Sequence, residues 1–204
     1  TAAGQSNSSP AAADYTLSQA IADAQKHGIE YMVVAYLFPQ ERGGPDFYRQ
    51  FADQMNRAGE QCRQAGIKLC YHNHAFEFEA MEGTTPLDIL MERFDKRFVD
   101  LELDVFWVAV AGSDPVQLIK KYSGRVPLLH LKDKAKGTER QTQESKVPRT
   151  AFAEVGNGEL DFPAILRAAS QAGAKHYFVE QDQTPGDPLS SLRQSYSYLK
   201  GLKR

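Results

Sequence analysis

Leu69-Cys70-Tyr71-His72-Asn73-His74 runs apolar and then closes on imidazoles, and three other stretches of the chain repeat the pattern. They are Val99-Asp100-Leu101-Glu102-Leu103-Asp104, Val126-Pro127-Leu128-Leu129-His130 and His176-Tyr177-Phe178-Val179-Glu180. Each is short, rich in strand-forming residues, and ends in a side chain that can hold a divalent metal. Parallel strands in an α/β barrel or open sheet present their C-terminal ends to one mouth, so the pattern predicts imidazoles and carboxylates converging on one site. Mixed His, Asp and Glu ligation suits Mn²⁺, Mg²⁺, Co²⁺ or Zn²⁺. Strand alternation puts Cys70, His72 and His74 on one face, so both imidazoles are expected to point into the mouth.

The surrounding elements are regular. Leu17, Ala20, Ile21 and Ala24 recur at helical spacing and are closed by Gly28, after which Tyr31-Met32-Val33-Val34-Ala35-Tyr36-Leu37 reads as a buried strand. Phe47, Phe51, Met55, Ala58 and Cys62 form a longer stripe ending at Gly66, which leads into the strand carrying His72. Pro86 and Pro115 suit the first turns of short helices, with Ser113 or Asp114 capping the second. Asp161-Phe162-Pro163 opens a helix through Ala172 that Gly173 closes, and Asp187-Pro188 opens the last. Strand-helix units of about 30 residues predict parallel β-structure with right-handed crossovers.

The 204 residues are 42% hydrophobic with a formal net charge of -2, which fits one globular domain with a sizeable core. There is no basic run and no Lys/Arg stripe interleaved with aromatics, which argues against nucleic acid as a partner. No apolar stretch approaches the roughly 20 residues that span a bilayer, which argues against a membrane helix. Cys62 and Cys70 fall on a helix and a strand, against a disulfide framework. Thr1 to Pro10 lacks the basic and apolar regions of a signal peptide and reads as a loop, so a cytoplasmic setting is expected. Five strands and six helices are legible, fewer than a closed (β/α)8 barrel of about 250 residues needs. Residues 1–204 are therefore expected to form the later part of such a barrel, its first three strands supplied by a missing N-terminal segment or by a second copy of the chain.

Several blocks together resemble the sugar phosphate isomerase/epimerase family of xylose-isomerase-like TIM barrels. They are Tyr71-His72-Asn73-His74-Ala75-Phe76-Glu77-Phe78-Glu79, Glu102-Leu103-Asp104-Val105-Phe106-Trp107, Leu129-His130-Leu131-Lys132-Asp133, Glu154-Val155-Gly156-Asn157-Gly158-Glu159-Leu160-Asp161-Phe162 and Val179-Glu180-Gln181-Asp182. The resemblance covers nearly the whole chain from about Leu17 and implies barrel strands four to eight. It implies metal ligands at Asp104, His130 and Glu180. The family's fourth ligand, a glutamate at the end of strand five, falls where this chain has His72, so either His72 ligates or Glu77 swings in from the loop. Glu77 is the expected ligand on charge grounds, with His72 as acid/base or substrate contact. Trp107 stands where ketose epimerases hold a substrate-contacting histidine.

The implied activity is a metal-dependent sugar isomerase or epimerase that removes a proton beside a metal-bound carbonyl. Glu180 is the expected base, with His72 or His74 as the second acid/base member and Lys132 holding a phosphate, carboxylate or developing oxyanion. Loss of a β-oxygen from the same site gives the alternative, a lyase or dehydratase acting on a keto-sugar, inosose or 3-keto-glycoside. A reading of another class is a non-catalytic partial barrel or carbohydrate-binding module. Blander roles are expected elsewhere: His27 at a helix C-terminus, His176 on the face turned away from chemistry, Gly156-Asn157-Gly158 in a tight turn, Lys132 to Lys136 along a solvated loop, with Lys132 itself close enough to His130 to count toward the site. Glu102 shares the parity of Asp104 and is expected either to pair with a buried cation or to meet substrate.

Overall fold

A computed structural model describes residues 15–202, so Thr1 to Pro10 lies outside the described residues. In chain order the elements are α1 (Leu17–Lys26), β1 (Tyr31–Val34), α2 (Pro45–Gln64), β2 (Lys68–His72), α3 (Pro86–Arg93), β3 (Val99–Asp104), α4 (Val105–Val110), α5 (Pro115–Lys121), β4 (Leu128–Leu131), β5 (Asp133–Lys134), β6 (Phe152–Ala153), α6 (Phe162–Gln171), β7 (His176–Val179) and α7 (Pro188–Gly201). The helix starts are chemically marked. Thr16 and Gln19 form a capping box, and Thr85, Asp114, Asp161 and Asp187 each accept a first-turn backbone N–H. Each such cap is worth about 1 kcal/mol. Proline at the first helical position suits α2, α3, α5 and α7, because its missing N–H would be unpaired there anyway.

The main sheet has five strands in the order β1-β2-β3-β4-β7, every neighbouring pair parallel. This is an α/β half-barrel, with β1 and β7 at its edges among the described residues. Residues paired in register share a face. One face therefore carries, from the strand starts to the strand ends, Val33 beside Cys70 and Asp100, then His72 beside Glu102, Leu128 and His176, then Asp104 beside His130 and Phe178. The sheet curls enough that the ring of Tyr31 on one edge strand meets His176 on the other, with centroids 5.6 Å apart. The opposite face buries Leu69, Tyr71, Leu101, Leu103, Leu129 and Leu131 in the core against the helices. A fully buried Leu of this kind contributes about 1.5–3 kcal/mol relative to exposure. Gly59 lets α2 approach, since a Cβ there would sit 2.7 Å from the Phe98 carbonyl oxygen. No helix among the described residues is long and apolar enough to cross a membrane.

Four sequence expectations change. The first strand ends at Val34 rather than Leu37 and is half-buried, because it has one neighbour and the chain leaves it so that Tyr36 can lay its ring 4.7 Å from His74. His176 does not face away from the mouth's side of the sheet. It shares the face of Phe178 and Glu180 and stands at the strand's start, against Tyr31. A seventh helix, α4, follows Asp104 directly. Finally, Lys132, Asp133 and Lys134 are buried rather than solvated, because the chain continues into the antiparallel pair of β5 with β6. Asp133 organises that region. Its carboxylate accepts the backbone N–H groups of Lys134, Gly156, Gly158 and Leu160, and any side chain at Gly158 would run into it. The Gly156-Asn157-Gly158 turn is wrapped around this one carboxylate.

Candidate active site

At the strand ends the centre is Asp104. Its backbone N–H donates to Asn73 Oδ1 at 3.0 Å, which ties β3 to the end of β2. Its Oδ1 accepts the N–H groups of Phe106 (2.9 Å) and Trp107 (3.0 Å) as the cap of α4. That leaves Oδ2 buried without a hydrogen bond. Around this oxygen stand Lys132 Nζ at 3.3 Å, His72 Nε2 at 3.7 Å and His130 Nδ1 at 3.9 Å. A buried carboxylate oxygen with an open lone pair and two imidazole nitrogens beside it is a donor set for a divalent cation. His72, Asp104 and His130 each offer a ligand atom, all within 4.8 Å of one another. The residues present fit a metal.

Glu180, one residue past β7, reaches this group from the rim with its side chain about half exposed. Its Oε2 lies 2.7 Å from His130 Nδ1 and 2.9 Å from Lys132 Nζ. Those two contacts hold its carboxyl well below the usual carboxylate range. Burial alone would lower the His130 pKa, but Glu102 and Glu180 outweigh it and raise it to about 9. Lys132 is only 3% exposed, and Asp104, Asp182 and Glu180 more than offset the burial penalty on its ammonium. Asp182 Oδ1, 2.8 Å from Lys132 Nζ, was not singled out in the sequence. Its signal was present, two residues past Glu180 and hence on the same side of an extended segment.

Glu77 sits elsewhere. It is fully buried in the turn after β2, where Tyr71 Oη donates to one oxygen at 2.6 Å and the His74 N–H to the other at 2.8 Å. Both oxygens are thereby engaged below His74, and His72 fills the strand-end position. His74 packs its ring against Tyr36, His72 and Trp107, at 4.7, 4.9 and 5.5 Å between centroids. Burial, reinforced by His72 and Lys132, lowers its pKa to about 2 and keeps it neutral. His74 Nδ1 and Trp107 Nε1 are both buried without a hydrogen-bond partner.

The titrating groups predict a pH dependence. Burial raises Glu77 from 4.5 to about 8, so its contribution is complete below about 4.5 and lost as pH rises through about 8. His130, raised from 6.5 to about 9, loses its contribution over the window from 6.5 to about 9. His74 is shifted the other way, so its contribution is complete above 6.5 and fades only as pH falls. Metal-free protein should therefore lose stability between about pH 6.5 and 9, measured as the urea midpoint in chelator. Glu77→Gln, whose amide can donate to Tyr71 and accept from His74, should flatten the part of that loss below about pH 8. An unchanged slope would show that Glu77 is ionised throughout.

Residues 11–202 match the sequence profile of the xylose isomerase-like TIM barrels. The chain belongs to that family. An inosose dehydratase of Clostridium perfringens is 28% identical over 162 residues, covering 75% of this chain and 54% of that protein. The chain thus spans about half the length of the curated relatives it matches. A crystal structure of a sugar phosphate isomerase/epimerase from Parabacteroides distasonis superposes with a TM-score of 0.77 at 26% identity, covering 95% of this chain and 68% of that one. The zinc-bound IOLI protein superposes with a TM-score of 0.67 at 14% identity over 90% of this chain and 66% of its own, a likeness of fold alone.

Proposed function

We propose that the chain carries the metal-binding and proton-transfer residues of a lyase that dehydrates a polyhydroxylated ketone of the inosose class. The observation that carries the reading is Asp104 Oδ2, buried and without a hydrogen bond between two imidazoles and an ammonium. The resemblance to inosose dehydratases supports water loss over simple isomerisation. Its five parallel strands are read as strands four to eight of the (β/α)8 barrel, with another segment or a second copy of the chain supplying the rest. His72, Asp104 and His130 would hold the ion, with Glu180 at the rim and Glu77 reassigned to support the His74 turn. A divalent cation held by these residues would supply Lewis-acid stabilisation of the substrate's developing negative charge.

The remaining steps belong to the chain. Glu180, kept ionised by His130 and Lys132, takes the proton from the carbon next to the carbonyl. Lys132 places a fixed positive charge where the oxyanion develops. Trp107 and neutral His74 present unpartnered polar atoms to substrate hydroxyls. Glu180 then returns its proton to the β-hydroxyl, which leaves as water while the C–H electron pair becomes the new double bond. Returned instead to the neighbouring carbon, the same proton gives isomerisation. That second reading is favoured by the likeness to the Parabacteroides isomerase/epimerase.

The test is incubation of Mn²⁺- or Co²⁺-loaded protein with inososes, ketoses and 3-keto-glucosides in D₂O, followed by NMR and near-ultraviolet absorbance. A conjugated product with loss of water is expected from an inosose. Deuterium uptake without water loss would favour the isomerase. No exchange with any of them, in protein shown to bind metal, would leave the non-catalytic reading.

A further inference from the structure

Glu102 lies on the face that carries the site, two residues before Asp104 and in register with His72 on the neighbouring strand. Its side chain is 6% exposed. One carboxylate oxygen, Oε2, is 3.1 Å from His72 Nδ1, and the other, Oε1, is 3.4 Å from His130 Nε2. The opposite nitrogens of the same rings, His72 Nε2 and His130 Nδ1, are those that flank Asp104 Oδ2. Glu102 thus stands behind both imidazoles, each of which turns one nitrogen to it and the other to Asp104. A carboxylate divided between two rings is straight to neither, and His72 Nδ1 makes no aligned hydrogen bond to any group. A buried imidazole N–H needs an acceptor.

Resting on the metal-site reading above, we infer that Glu102 is a positioning residue shared by both histidine ligands. It holds a proton on His72 Nδ1 and on His130 Nε2, so that His72 presents Nε2 and His130 presents Nδ1 to the ion. Carboxylates in this place behind a ligating imidazole set its tautomer and ring orientation and raise its basicity. Here one carboxylate performs that task for two ligands from adjacent strands, which explains an acidic residue buried in the interior-facing row without a Lys or Arg partner. Lys132 is turned instead to Asp104, Glu180 and Asp182.

The test compares wild type with Glu102→Gln, which keeps the shape and removes the charge and one acceptor. Three measurements are made: Zn²⁺ affinity by chelator competition, the visible spectrum of the Co²⁺ form, and long-range ¹H–¹⁵N correlations of the histidine rings in metal-free protein. Glu102→Gln is expected to lose metal affinity by about 10–100-fold, to change the Co²⁺ spectrum, and to shift the ring nitrogens of His72 and His130 but not those of His27. Affinity within about twofold with unchanged ring resonances would overturn the inference. If Glu102→Gln fails to fold, wild type decides alone: a proton on His72 Nδ1 supports the assignment, and one on Nε2 refutes it. The ring measurement also separates the two readings, because protein that binds no metal yet shows both protons facing Glu102 keeps this inference while losing the metal site.

Discussion

Asp104→Asn should abolish metal binding and leave the fold standing. The two oxygens of Asp104 have separate tasks, Oδ1 capping α4 and Oδ2 facing the histidines. Asparagine can keep its carbonyl oxygen on the Phe106 and Trp107 N–H groups, which places an amide nitrogen, with no lone pair to give, where Oδ2 was. Affinity for Mn²⁺ or Zn²⁺ should fall by more than about 100-fold, beyond the loss typical of an outer partner. Asp104→Ala removes the cap as well and should cost a further 1 kcal/mol or so, seen as a fall of about 2–4 °C in Tm in chelator. Calorimetric titration and melting curves read the two effects separately. An Asn variant that binds metal within a few-fold of wild type would mean that the ion sits elsewhere.

Lys132→Met should destabilise the metal-free protein severely, and added metal should recover much of that loss relative to the variant's own metal-free form. Its ammonium is the cation among Asp104, Glu180 and Asp182, and removing one partner of a buried ionic group costs about 3–5 kcal/mol. Glu180 and Asp182 are partly exposed, so water relieves part of their repulsion and the lower end of that range applies. Buried Asp104 carries most of the effect. A divalent cation offers the same carboxylates a counter-charge, and at 100 times its Kd it restores about 2.7 kcal/mol. Urea unfolding with and without Mn²⁺ should show this rescue, whereas turnover, on the proposed mechanism, should stay depressed by about 10²–10³-fold for want of a positive charge at the developing oxyanion. Equal stability of Lys132→Met and wild type in chelator would contradict the described electrostatics.

Much of this architecture was legible in the sequence. The helix starts at Pro86, Pro115, Phe162 and Pro188 follow from local chemistry, a cap and a ring with fixed φ, and they stand where that chemistry puts them. The strand carrying Asp104 ends there as expected, and the one carrying His130 runs one residue further, to Leu131. What stayed hidden depends on contacts between distant parts of the chain. Lys132 could be picked out by its place two residues after His130, but its burial could not, since Asp182, one of its partners, lies some fifty residues on. Asp133 looks like a loop residue until the Val155 to Leu160 segment folds over it. Glu77 has the carboxyl of a ligand, and only its hydrogen bond from Tyr71 shows where that carboxyl is used. For His176, the strand period alone placed it with Glu180; the error lay in treating the start of a strand as a change of face.

The single carboxylate that gathers four backbone N–H groups at Asp133 also bears on how this scaffold can be rebuilt. A designer wishing to exchange the loop beside the mouth, to admit a bulkier or differently charged guest, cannot treat the stretch from Val155 to Leu160 as a free cassette. Its shape is written into a residue more than twenty positions upstream. A transplanted loop would have to arrive with Asp133 and Gly158 as one inseparable unit.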